Sequence, residues 1–536
     1  MKTNFGLKKL CFIVFLLWLL VPLCSSAADS GLNGATCEIG LMDAVRMSIE
    51  KNSTVKIYKS QQTIAEAGEL SAKAQFDPKL SASVARSSEY TPISDAMKKY
   101  YSQSGWPGVT KLKQGTLSYN VGYERRFRSG IAISPSVTVS TSESNDPQNR
   151  VPLTSGKVQF AVIKPLRRGG DAEVNTAYEK SSRIESEGAS YDSLYAISQT
   201  VRNAILSYWN YAYSYKALKI TEESKARAEK LYNDTKTLVE CSEVPPAELD
   251  QLIASLNQKQ ADCEKAAQDL LQSKNDLKIA IGVAGDSSVM IGPPADFFPA
   301  ELIAGGTVET TVLAKKLLNF AIANRYDYKA ANKRLESFKY TLPAAKDALK
   351  PQVDLQVATG YNGRKDDKGA AAIISSLNDN VPGTNVSATV NYSFSLDNKS
   401  ARADVIKQEE QFKQSKINAE EIARKITINI ETRVNAVVSI ISRYRRMIES
   451  GRLYNKALQN EKEKNRMGVS TLMDVVNIED RLGQAELGLE SAILEYAVAV
   501  TDLRFESGCL GTMGTSECEI KIEDIIALPE VKKFEK

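Results

Sequence analysis

Residues 422–448 read IARKITINIETRVNAVVSIISRYRRMI. Ile422, Ile426, Ile430, Val434, Val437, Ile441, Tyr444 and Ile448 step by three and four, the period of one packed helical face. The other positions carry Lys, Arg, Glu and Asn, which suit water or a polar lumen. The stripe lies within 69 proline-free residues, Lys399 to Met467, and Asp171 to about Glu243 is a second such stretch of 73. At about 1.5 Å per residue each predicts a rod of ~100 Å, against about 11–12 residues for a globular helix.

Each rod belongs to one copy of an internal repeat. Asp43 to Phe76 is a helical pattern with Ala44, Met47 and Asn52, stopped at Asp77-Pro78. Leu313 to Leu349 repeats it with Leu317, Phe320 and Asn324, stopped at Lys350-Pro351. Proline ends each helix because it lacks an amide donor and restricts the residue before it. Asn52 to Pro78 spans 26 residues, and Asn324 to Pro351 spans 27.

Alternation with a two-residue period follows each stop. Leu80, Ala82 and Val84, then Val158, Phe160 and Val162, mark strands within 79–166. Val353, Leu355, Val357, Thr359 and Tyr361 mark 353–361, and Ala388, Val390, Tyr392, Phe394 and Leu396 mark 386–396. Small polar residues interleave, so each strand has one apolar and one polar face. The pattern fits either a soluble sheet with one wet face or a membrane barrel, whose strands need about 9–11 residues per crossing. Leu117, Tyr119, Val121 and Tyr123, then Ile131, Ile133, Val137 and Val139, add a hairpin over 116–140. Its place in or out of the sheet is open at this point.

Each long helix reverses at a turn. Glu243-Val244-Pro245-Pro246-Ala247-Glu248 leads to a returning helix over 247–283, and Met467-Gly468-Val469-Ser470-Thr471 to one over 472–507. The opening helix of 34 residues and the returning helix of 37 together match the long helix of 73. Two short rods stacked end to end would stand as tall as one long rod, which a tall antiparallel cylinder requires. The repeats therefore divide as 29–283 and 311–509, with linker 284–310 and tail 510–536 folding as a collar where the short helices meet.

Composition narrows the function. With 69 basic and 65 acidic residues, nothing in the charge points to nucleic acid. Lys2, Lys8 and Lys9 precede the apolar run Leu10–Leu23, and Ser26-Ala27-Ala28 offers small residues for cleavage, so residues 1–28 read as a secretory signal. The alternative, a lipidated Cys24, is disfavoured by Pro22 and Leu23 before it. No other stretch is apolar enough for a spanning helix, so a membrane role would need a barrel, since lipid tolerates only helices and closed barrels. Histidine is absent, which removes the commonest general base and metal ligand. No catalytic cluster, close cysteine pair, P-loop or dinucleotide-type glycine pattern is present, so no enzyme, cofactor or metal site is expected. Among Cys37, Cys241, Cys263, Cys509 and Cys518, the candidate disulfides are Cys509 with Cys518, or either with Cys37.

Two copies of helix, strands, long helix, tip turn and returning helix resemble the TolC-like outer-membrane factor family over about residues 38–508. Lys164-Pro165-Leu166-Arg167-Arg168-Gly169-Gly170 looks like the family's strand-to-helix junction. Ser395-Leu396-Asp397-Asn398-Lys399 matches the second junction by position only, without proline or glycine. Gly468-Val469-Ser470-Thr471-Leu472-Met473-Asp474-Val475 is similar to the family's glycine-to-aspartate tip. The resemblance implies an α+β fold: an outer-membrane β-barrel whose strands three protomers share, continuous with a long antiparallel α-helical periplasmic barrel. It implies a passive homotrimeric exit duct for efflux or type I secretion, embedded in outer-membrane lipid. A periplasmic adaptor would join it to an inner-membrane transporter. Asp474 matches the family's acid near the closed end, where a threefold ring would favour cations. Thr471 to Asp474 equally fits a capping box. Asn477 stands where the family often has a second acid, leaving the constriction weakly charged. Val244, Pro245, Pro246, Gly468, Val469 and Ser470 match the family's adaptor-docking tips, although glycine and proline suit any reversal. A periplasmic coiled-coil scaffold without a pore is the competing reading.

Overall fold

The computed structural model describes residues 37–241, 245–283, 291–304, 310–379, 381, 383–510 and 525–526. The signal segment 1–28, Val244 and Cys518 lie outside them, and so does any disulfide to Cys518.

A short strand β1 (Cys37–Ile39) precedes helices α1 (Leu41–Lys51) and α2 (Ser53–Lys73). Strand β2 (Lys79–Pro92) and helix α3 (Asp95–Gln103) lead to β3 (Lys111–Arg126), β4 (Ala132–Ser144) and β5 (Leu153–Pro165). Helices α4 (Ala172–Asn175), α5 (Ala177–Glu240) and α6 (Ala247–Ala280) complete the first half. Strand β6 (Ile291–Pro294) and helix α7 (Glu301–Ala304) cross to the second. There α8 (Thr310–Asn324) and α9 (Tyr326–Asp347) precede β7 (Gln352–Lys365), α10 (Ala370–Asn378) and β8 (Asn385–Ser393). The half ends in α11 (Lys399–Arg466) and α12 (Leu472–Glu506).

Three helices expected to be continuous are broken. The opening helices stop and restart at Asn52 (ψ 130°) and Arg325 (ψ 126°), both extended. Asn52 supplies its own cap: its side chain accepts from the Thr54 N–H at 2.8 Å and donates to the Ala280 carbonyl at 2.9 Å. Gly282 (φ +74°) lies against it so closely that a Cβ there would stand 2.5 Å from Asn52 Cα. Gly508 (φ +77°) meets Arg325 in the same way in the second half, with a Cβ 3.3 Å from the Arg325 nitrogen. The repeat therefore pairs Asn52 with Arg325 rather than with Asn324, and the distance to the stopping proline becomes 26 residues in both halves. The third break, at Thr176, separates α4 from α5, so the first long helix starts at Ala177 rather than Asp171.

The breaks turn α1 and α8 aside into an equatorial core. Leu41, Val45 and Val55 meet Ile197, Val201 and Ile205 there, and Leu317 and Ala321 meet Ile426 and Ile430. On the sheet side of the breaks α2 packs along α5 and α9 along α11, and on the tip side α6 packs along α5 and α12 along α11. Tyr208 and Trp209 are buried at the centre, with Trp209 5.4 Å ring to ring from both Tyr208 and Phe298. The Tyr208 hydroxyl accepts from the Asp296 N–H at 2.9 Å and can donate to the Ile39 carbonyl at 3.1 Å. It thereby ties the collar pair β1–β6, whose strands run parallel. Arg325, buried at its break, holds Asp327 at 2.7 Å and pairs with Glu506. Burial opposes its charge, but the hydrogen-bonded Asp327 and the nearby Glu506 outweigh it and raise the guanidinium pKa.

The remaining strands form one antiparallel sheet in the order β2-β3-β4-β5-β7-β8. The hairpin over 116–140 is thus an integral part of the sheet, as β3 and β4. Its lower turn is clasped to the helices: Arg128 grips Glu179 with two bonds of 2.9 and 2.7 Å and lies 5.0 Å over the Phe76 ring. The second strand-to-helix junction lacks glycine, and Asn398 takes the left-handed conformation instead (φ 43°), which asparagine tolerates best among other residues.

Gly282→Ala combines positive φ with a backbone clash, so we expect a loss of about 1–3 kcal/mol, read as a lower unfolding temperature. Gly451→Ala, mid-helix with open space around it, should instead gain up to about 1 kcal/mol.

Candidate functional site

The sheet's register sorts its side chains into two faces. Pairing places Val84 beside Tyr119, Tyr119 beside Val139, Val137 beside Val158, Val158 beside Tyr361 and Leu355 beside Val390. Because cross-strand partners share a face, the apolar positions of all six strands fall on one side. Many are left open: Leu80 is 77% exposed, Val386 73%, Tyr392 68%, Val84 68% and Val390 62%. The opposite face carries Ser83, Asn120, Thr138, Ser140, Ser155, Asn362 and Thr389 at the intervening positions. Hydroxyls and amides ladder across it: Thr138 donates to Asn120 at 3.0 Å, and Ser140 and Ser155 meet at 2.8 Å. An apolar face of this extent is the mark of an interaction with lipid or another apolar surface. The edge strands β2 and β8 are exposed along their whole length. No described helix is long and apolar enough to cross a membrane.

At the far end of the helices, two tips reverse the chain. After α11 the Val469 N–H reaches the Lys464 carbonyl at 2.9 Å and the Gly468 N–H the Asn465 carbonyl at 3.0 Å, with Gly468 at φ +73°. This closing pattern needs a residue free to adopt positive φ. Asn465 then donates to the Ser470 carbonyl at 2.9 Å, and the Ser470 hydroxyl bonds Glu461. Val469 is 76% exposed at the apex. At the other tip, Pro245 and Pro246 are exposed and their carbonyls accept from the N–H groups of Glu248 and Leu249 at 3.2 and 3.1 Å.

Asp474 is exposed and closes a capping box: the Thr471 hydroxyl and N–H reach its carboxylate at 2.6 and 3.1 Å, and its own N–H reaches the Thr471 hydroxyl at 3.2 Å. The Thr471 hydroxyl foremost, then the Thr471 N–H, holds its carboxyl pKa below the usual value. Asn477, one turn on, is also exposed but lines a cleft of about 820 Å³ between α5, α6 and α12, with Ser224, Gln258, Met473 and Gln484. The Ser224 hydroxyl is buried there with no hydrogen-bond partner among the described residues. Of the candidate disulfide residues, Cys37 lies on β1, and Cys509 accepts from the Ser507 hydroxyl at 3.1 Å.

One feature escaped the sequence reading. Basic residues on α5 meet acids on the antiparallel α12 at successive levels: Arg202 with Asp502 at 2.6 Å, Lys216 with Glu490 at 3.0 Å, Arg227 with Glu479 at 2.8 Å. Lys259 of α6 crosses the cleft to Asp480 at 2.7 Å. Arg227 and Glu479 stand 252 residues apart in the chain, so no local spacing pairs them. Glu479 is only 5% exposed, and losing its partner would strand a buried charge.

Asp474 has a depressed pKa, so its cap contributes fully above the ordinary carboxylate value and is lost as pH falls through the lower, folded-state one. Amide protection in the first turn of α12 should therefore fall below about pH 4 relative to mid-helix amides. Asp474→Asn should abolish that pH dependence; an unchanged profile would separate the cap from this carboxylate.

No protein-family model and no curated protein matches the chain. Solved structures do. The outer membrane channel CmeC of Campylobacter jejuni superposes with a TM-score of 0.62 at 15% identity, covering 87% of this chain and 85% of that one. CusC, described for its transmembrane channel formation, gives 0.64 at 14% identity, covering 90% and 95%. The outer membrane protein VceC of Vibrio cholerae gives 0.61 at 14% identity, covering 87% and 96%. The chain thus has the TolC-like fold of outer-membrane channels, a helical barrel joined to a β domain.

Proposed function

We propose that the chain is one protomer of a trimeric outer-membrane exit duct that passes solutes passively and reaches into the periplasm to meet an adaptor and an inner-membrane pump. The observation that supports it most is the exposed apolar face running across six consecutive strands, backed by a face of hydroxyls and amides. In water such a face is a liability; around a barrel it meets lipid while the polar face lines a lumen.

Barrel closure follows from the edges. Six antiparallel strands leave β2 and β8 open and oppositely directed, and open edges are not tolerated in lipid. Pairing β8 with the β2 of a second copy, three times over, closes eighteen strands. Barrels of about 16–18 strands enclose an aqueous channel. Without the hairpin β3–β4 the count would be twelve and the wall correspondingly narrower.

Gating belongs to the opposite end. The cleft of about 820 Å³ separates the hairpin α5–α6 from α12, so the two hairpins can move apart there. Lys259–Asp480 and Arg227–Glu479 cross or border the cleft and hold it closed. Asp474 and Asn477 sit beside the constriction, and Pro245, Pro246, Gly468, Val469 and Ser470 form the surface that an adaptor would grip. Energy comes from the pump.

Purified in detergent, the protein should run as a heat-modifiable trimer and conduct ions in planar bilayers. A soluble, non-conducting monomer would leave the pore-free scaffold instead. Asp480→Asn with Arg227→Met should raise the open fraction; each rung worth about 1 kcal/mol shifts the closed–open ratio roughly fivefold. Unchanged conductance would take the seam out of the gate.

A further inference from the structure

The connection between β7 and β8 does not project from the sheet's upper end. Its helix, α10, folds back onto the sheet across β5 and β7. The seat is a glycine pair, Gly156 and Gly363, directly opposed in the ladder. A Cβ at Gly156 would come within 2.7 Å of the Ser376 carbonyl oxygen, and one at Gly363 would strike the same oxygen. The helix therefore touches bare backbone, an approach that only glycine permits. Side chains pin its ends: the Thr154 hydroxyl donates to the Asp367 carbonyl at 2.6 Å, Lys368 pairs with Glu143 at 2.9 Å and Lys365 with Asp379 at 3.4 Å.

The side on which α10 lies decides what it meets. Gly156 shares its face with Val158, Phe160 and Val162, two, four and six residues on, and Gly363 shares its face with Tyr361, Thr359 and Val357. That is the apolar face, not the hydroxyl-lined one. Ala372 and Ser376 are buried against the sheet, while Ala370, Ala371 and Ile374 turn away from it, Ile374 at 65% exposure. At the level of the two glycines these strands offer no side chain of their own, and the helix supplies apolar surface in their place. One row further out the same face turns polar, with Thr141, Thr154 and Lys365 in line.

We infer that α10 is an interfacial helix: it lies on the outside of the wall at the membrane surface, with Ile374 among the upper acyl chains of the lipid and Lys365 and Lys368 at the rim. The occupant is lipid because the exposed helix surface continues the sheet's apolar band, and because charges begin where that band ends. Amphipathic helices of this kind bury their apolar side a few ångströms below the headgroups. The inference rests on the wall reading above and adds a depth and an outward side for α10.

Tryptophan quenching by brominated phosphatidylcholine tests both separately. Ile374→Trp, Phe160→Trp and Asn391→Trp, on the helix, the band's middle and the polar face respectively, are reconstituted into vesicles. Bromine is placed either near the headgroup end or near the methyl end of the chains, and parent emission is subtracted. Ile374→Trp should lose emission most with shallow bromine, Phe160→Trp most with deep bromine, and Asn391→Trp with neither. If Phe160→Trp is quenched but Ile374→Trp is not, α10 faces water or a second copy, and the inference falls while the wall stands. If Phe160→Trp is unquenched, both fall.

Discussion

The pleat of the sheet is the constraint on which the structure depends. A strand alternates its side chains, and each ladder carries that alternation to the next strand without slipping. Over five ladders the register never changes parity, so Leu80 on β2 and Val390 on β8 end on the same side. A slip of one residue in any ladder would turn part of the apolar face into the polar one. That consistency makes a continuous lipid-facing wall possible, and it explains why a helix seated over Gly156 and Gly363 must lie on the sheet's apolar side.

Beneath the wall, the helices answer a problem of height. A long rod beside two short ones needs the short ones to meet end to end, and the chain must also escape sideways to form the collar. Asn52 and Arg325 provide the escape by leaving the helical conformation for one residue, while Gly282 and Gly508 let the returning helix end press against that residue. The two halves solve the polar side of the break differently. Asn52 satisfies backbone groups with its amide, whereas Arg325 uses a buried ion cluster with Asp327 and Glu506. The equivalence lies in backbone geometry, which is why matching side chains first set Asn52 beside Asn324.

Charge organises the seam between the two coiled pairs. Bases on α5 and acids on α12 meet rung by rung, and near the tip the packing opens into a cleft bordered by Lys259, Asp480 and Ser224, whose hydroxyl has no partner among the described residues. A seam held by ion pairs can part at lower cost than an apolar one where water can enter and solvate the separated charges. The fold thus places its largest apolar core at the equator and its cleft, with the Lys259–Asp480 pair across it, toward the tips.

What the sequence by itself determined is whatever repeats locally. The helical stripe from Ile422, the proline-free lengths, the stopping prolines and the apolar positions of the six strands of the large sheet are all legible, because a helix and a pleat impose their periods on neighbouring residues. Gly468 and the Thr471–Asp474 box are legible for the same reason. Only the tertiary structure decided the helix breaks at Asn52, Thr176 and Arg325, the place of the 116–140 hairpin in the sheet, the partners of Arg227 and Lys259, and the side on which α10 lies. Apart from the break at Thr176, whose hydroxyl bonds the nearby Ala172 carbonyl, each depends on groups brought together from tens to hundreds of residues away, and packing rather than local periodicity selects them.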